Sequence, residues 1–124
     1  MAKVIVANPS RQHSDQMASA LAAADMLALY VHGAPVRASL AGMIAAGANH
    51  ELKRYRLAIA ASNHLLSGDR RIAAAHHVYA RFGETVAGIA HNPIWSAVIC
   101  TENSAIPLFR LARERGAVTI LDAA

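Results

Sequence analysis

Four short apolar runs punctuate the chain: Val4-Ile5-Val6-Ala7, Leu27-Ala28-Leu29-Tyr30-Val31, Ala97-Val98-Ile99-Cys100 and Ala117-Val118-Thr119-Ile120-Leu121. The first is β-branched and lacks polar alternation, the pattern of a strand buried on both faces of a parallel sheet. Asn8-Pro9-Ser10 breaks it, and Met17, Ala20, Leu21 and Ala24 then recur at helical spacing. Ser10 is therefore expected as the N-cap of a helix running to about Asp25, before the second strand ends at His32 and Gly33-Ala34-Pro35. From Val36 to Asn92 no run reads convincingly as a strand. Glu51 to Leu66 reads as a helix, and Asp69 to Ala90 more firmly so, with Ile72, Ala75, Val78, Phe82, Val86 and Ile89 on one face. The third strand exits through Glu102-Asn103-Ser104 into a helix from Ala105 to Arg115, closed by Gly116 and tolerating Pro107 in its first turn.

Strands alternating with helices predict a single α/β domain over residues 1–124, a Rossmann-like parallel sheet of about four strands flanked by helices. In such sheets ligands bind beyond the carboxyl ends of the strands. The positions to inspect are Asn8 to His13, His32 to Pro35, Thr101 to Ser104, and Asp122. The last predicted strand has no following element to cover it, the expectation for a truncated domain.

Composition narrows the classes. At 124 residues and 13.1 kDa, 55% hydrophobic and 16% charged, the chain suits one packed core and neither a two-domain enzyme nor a disordered segment. Its apolar runs fall short of a membrane span, and its start is unlike a signal peptide. The lone Cys100 permits no internal disulfide and no four-cysteine zinc site, which fits a reducing, cytoplasmic setting. Ten of the 12 basic residues are arginine and the net charge is +4, an excess that suits anions. Lys53, Arg54 and Arg56 lie apart from Arg110, Arg113 and Arg115, and aromatic residues are 5% of the chain, so no nucleic-acid stripe or stacking platform is expected. His76 and His77 are adjacent rather than a helical turn apart, so no metal site is expected.

The first strand-to-helix turn has neither Gly-x-Gly-x-x-Gly nor Gly-Lys-Ser/Thr, which argues against NAD enzymes and P-loop NTPases and leaves no expected cofactor. Asn8-Pro9 stands where a response-regulator receiver needs an acidic pair. Ser10, Arg11 and His13 at a helix N-terminus can attract a phosphate or carboxylate, or can be simply a cap and solvated side chains. Glu102 can hold a sugar hydroxyl or exchange a proton; the alternative is that Asn103 or Ser104 caps the last helix while Glu102 favours its positive end.

Three segments together, Val4-Ile5-Val6-Ala7-Asn8-Pro9-Ser10-Arg11-Gln12-His13-Ser14, Val98-Ile99-Cys100-Thr101-Glu102-Asn103-Ser104-Ala105 and Gly116-Ala117-Val118-Thr119-Ile120-Leu121-Asp122-Ala123, resemble the N-terminal domain of family 4 glycosyltransferases. The resemblance implies one half of a GT-B fold, in which the N-terminal domain holds the acceptor and a C-terminal domain the nucleotide-sugar. The donor-side Glu-x7-Glu pair is absent here. The implied function is the acceptor-binding half of a retaining, metal-independent hexosyltransferase, inactive alone, acting on a sugar or lipid-linked acceptor. Ser10, Arg11 and His13 would line one side of the cleft and Glu102, Asn103 and Ser104 the other. The basic excess would suit docking on anionic lipid headgroups, as membrane-associated members of that family do. The competing expectation is a non-catalytic Rossmann-like module that pairs with another domain, or with itself, through the final strand.

Overall fold

The computed structural model describes residues 2–10, 12–91 and 93–122, and leaves the side chain of Asn103 undescribed. The chain forms β1 (Val4–Asn8), α1 (Ser14–Ala23), β2 (Leu27–His32), β3 (Asn49–Glu51), α2 (Lys53–Leu65), α3 (Gly68–Ile89), β4 (Ala97–Thr101), α4 (Ala105–Glu114) and β5 (Val118–Asp122). All strands pair in parallel in the order β3-β2-β1-β4-β5, a Rossmann-like sheet flanked by helices. The sheet has five strands rather than about four. The extra one, β3, is three polar residues that pair with Tyr30 to His32, so neighbours rather than intrinsic preference hold it extended.

Strand alternation sorts the core onto two faces. Val4, Val6 and Tyr30 point to one face, where they pack with Ala18 of α1 and Ile44 of the β2–β3 connection. Ile5, Ala7, Val31, Val98 and Cys100 point to the other, beneath Phe82 and Val86 of α3 and Leu108 of α4. Helix α2 buries no residue fully; it leans on α3 through Tyr55, whose ring meets Phe82 edge-on at 5.5 Å.

Ser10 does not cap α1. Its N–H and hydroxyl both donate to the Asn8 side-chain oxygen, at 2.9 and 3.0 Å, and Gln12 takes a left-handed φ of 43° before the helix begins at Ser14. A cap accepts from the N–H groups of the first helical turn, and Ser10 lies three residues ahead of the N-cap position, His13. At the far end of α4 the expectation holds: Gly116 has φ 67°, and the Ala117 N–H reaches the Ala112 carbonyl at 2.9 Å, closing the helix as a left-handed glycine does. The first turn of α1 is tied to the β2–β3 connection through Asp15, wholly buried, which forms an ion pair with Arg37 Nε at 3.4 Å and accepts from the Arg37 N–H at 3.2 Å. Among the described residues, no helix is long and apolar enough to cross a membrane.

Candidate functional site

Every strand ends on a polar residue: Asn8, His32, Glu51, Thr101 and Asp122. Register aligns them. His32 sits opposite Asn8 and Glu51, Thr101 opposite Asp122, and the Ala7–Cys100 pair sets Asn8 level with Thr101. Registered partners in parallel strands face the same way, so the five form one polar row along the carboxyl edge of the sheet, on the α1 face. Its centre, between β1 and β4, is where the chain reverses its direction of winding, the position at which open α/β sheets bind ligands.

At that centre, polar atoms are left without partners. Asn8 is 1% exposed; its Oδ1 is engaged by Ser10, while its Nδ2 meets no partner among the described residues. The Thr101 and Ser104 hydroxyls are likewise buried and unpartnered, and Ser104 is also only 1% exposed. Ser104 does precede α4, but its side chain makes no capping hydrogen bond. An unmet buried donor or acceptor costs about 1–3 kcal/mol, so three around one sheet edge are places for ordered water or for the polar groups of a ligand. Asn8, Pro9, Ser10, Gln12, Tyr79 and Thr101 enclose a crevice of about 50 Å³. That admits a hydroxyl group rather than a sugar ring, because whole-ligand pockets run from about 300 Å³ upward.

Beside the crevice, His13 Nε2 lies 3.2 Å from Asp122 Oδ2, joining the β1–α1 loop to the end of β5. On the other flank His32 is fully buried and stacked on Tyr30 at 4.1 Å; one ring nitrogen meets the Ala34 carbonyl and the other the Asn49 side-chain amide. The Tyr30 hydroxyl is in turn 2.7 Å from that of Ser14, so this flank is rigidly held. Two glycines set the loops. A side chain at Gly33 would strike the Pro9 carbonyl, and one at Gly83 of α3 would strike the Ser104 carbonyl.

Of the residues expected from sequence, the fold brings Ser10 and Ser104 to the sheet edge where the crevice opens and ties His13 to Asp122. Glu102 lies exposed in the turn after β4. Arg11 and the side chain of Asn103 lie outside the described residues. Asn8 and Thr101 stand at the strand ends marked for inspection without being expected as binding residues, and Tyr79 lies outside every marked position. The readable signal for the first two is a polar residue closing an apolar run; Tyr79 comes from a helix distant in sequence and carries no such signal.

Cys100 lies buried in the core. Burial pushes its thiol up to about 12, against the backbone hydrogen bond at Thr101 that lowers it, and the nearby Asp122 carboxylate adds to the rise. Among the described residues, no group of three or more His, Cys, Asp or Glu is placed to hold a metal ion. No family model, curated protein or solved structure matches this chain.

Proposed function

We propose that the chain is the acceptor-binding half of a glycosyltransferase that moves a hexose from a nucleotide-sugar to a sugar or lipid-linked acceptor. The observation that carries this reading is the set of unpartnered polar atoms at the β1–β4 switch point, Asn8 Nδ2 with the Thr101 and Ser104 hydroxyls. An amide donor beside two hydroxyls, each able to donate or accept, matches a polyhydroxylated ligand better than an anion, which needs donors alone. His13, oriented by Asp122, stands beside this edge and can hydrogen-bond a further hydroxyl. The strand-to-helix turn offers no glycine-rich phosphate cradle, so the nucleotide-sugar is assigned to a second domain, and transfer requires it.

Thermal unfolding with candidate ligands tests the reading, since a ligand that binds only the folded state raises its stability by about 2.7 kcal/mol at 100 times its dissociation constant. Hexoses, oligosaccharides or glycolipid headgroups should raise the melting temperature. Turnover of a nucleotide-sugar by this chain alone, or indifference to every hydroxylated acceptor, would overturn it.

The exposed edge of the sheet supports a second reading, a non-catalytic module that associates through β5. Val118, Ile120 and Leu121 are 61%, 45% and 50% exposed, with no charged residue between them to discourage pairing. Light scattering over a concentration series should then show self-association, and a monomer throughout would remove this reading.

A further inference from the structure

The net charge is not spread over the molecule. Between Lys53 and Ile89, the α2–α3 hairpin carries six of the 12 basic residues against only Asp69 and Glu84, and the remaining six basic and six acidic residues cancel. The whole +4 of the chain therefore resides on these two helices, where all six basic side chains are exposed. Between the helices runs a groove of about 350 Å³ lined by Arg54, Tyr55, Ala58, His77, Val78 and Arg81, a volume in the range of small-ligand sites.

We propose that this groove binds a phosphate ester or diphosphate, with Arg54 and Arg81 as its principal ligands and His77 as a third donor. The groove is built to hold these groups in place. The Arg54 guanidinium lies 4.8 Å above the Tyr55 ring and donates to its hydroxyl at 3.3 Å, and that hydroxyl is anchored on Thr85 and on the Arg81 carbonyl across the groove. Stacking fixes the plane of Arg54 while leaving most of its donors directed outward. Arg81 engages Glu84 through one nitrogen at 3.4 Å, in a pair whose side chains are 64% and 56% exposed. Such an exposed pair is weak, so Glu84 competes poorly with a doubly charged ligand. Guanidinium pairs match the tetrahedral, multiply charged phosphate, and the small apolar floor of Ala58 and Val78 accepts the body of the ligand. A nucleic acid needs a long basic stripe with stacking aromatics, whereas here two arginines converge on one compact groove.

The test is titration calorimetry of the folded chain with inorganic pyrophosphate, a hexose phosphate and the same hexose without phosphate, alongside vesicle sedimentation with phosphatidylglycerol. Pyrophosphate and the hexose phosphate should bind, more weakly as salt rises. In Arg54→Gln/Arg81→Gln their affinity should fall by about tenfold for each guanidinium removed. Both positions are exposed and glutamine is a good helix former, so circular dichroism should report an unchanged fold. The Thr101→Val/Ser104→Ala variant should bind phosphate like the parent, which separates this groove from the sheet-edge site. Undiminished phosphate affinity in the double arginine variant, or binding to vesicles but to neither soluble phosphate, would overturn the proposal.

Discussion

Trp95→Ala should lower the unfolding free energy by about 3–5 kcal/mol, the cost of truncating a large buried aromatic side chain. Trp95 is 5% exposed and packs in the cluster formed by α3, α4 and the strands above them. Its indole also closes a helix. Nε1 donates to the Ala90 carbonyl at the end of α3 at 2.8 Å, and Arg115 lies 4.5 Å above the ring while donating to that carbonyl at 2.9 Å and to Pro93 at 3.0 Å. One residue thus joins the end of α3, the β4 approach and the end of α4. Against the roughly 5–15 kcal/mol that stabilises a typical domain, this is a large share of the total. Thermal circular dichroism should show a melting temperature lower by about 10–20 °C. A shift of only a few degrees would mean that this junction does not hold the two helices.

The second large effect sets two glycines of one helix against each other. Gly88 of α3 has nothing within 4 Å of where a side-chain carbon would sit, whereas at Gly83 that carbon would strike the Ser104 carbonyl and lie 3.3 Å from Pro107 Cδ. Helix propensity alone favours alanine at both by about 1 kcal/mol. Gly88→Ala should therefore gain roughly 0.5–1 kcal/mol. Gly83→Ala should lose about 2–3 kcal/mol net, because backbone rather than a flexible side-chain end stands in the way. It should also displace the turn carrying Ser104 and weaken acceptor binding, while Gly88→Ala leaves binding unchanged. Urea unfolding of the two variants reads the opposite signs directly. Stabilisation by both would show that α3 does not press on the Ser104 turn.

Four of the strands were legible because buried parallel strands are written as apolar runs, and Gly116 because a helix ending in the left-handed region favours glycine. What the sequence hid was settled by contacts. Asn49-His50-Glu51 has no strand signature and becomes β3 only beside Tyr30 to His32. Ser10 has the local features of an N-cap, but the helix starts only at Ser14, and Ser10 instead donates its N–H and hydroxyl to the Asn8 side chain. Helix-terminus logic found Ser10, His13 and Ser104, whereas Asn8 and Thr101 matter because register sets them level across β1 and β4 and their neighbours leave them unpartnered. The His13–Asp122 contact spans nearly the whole chain, and no local pattern encodes it.

These observations describe a trade between stability and binding. The sheet edge keeps polar atoms buried and unmet, each a cost to the folded state that a ligand can recover. Gly33 and Gly83 let the Pro9 and Ser104 carbonyls approach where a side chain would collide with them.

The most direct test of this account is the unfolding free energy of Thr101→Val/Ser104→Ala, measured with and without a saturating hydroxylated acceptor. Without ligand the variant should be more stable than the parent by about 1 kcal/mol, because two unmet hydroxyls are gone, and the stabilisation that ligand gives the parent should vanish. A variant less stable than the parent that still responds fully to the acceptor would contradict the claim that these hydroxyls form its binding site.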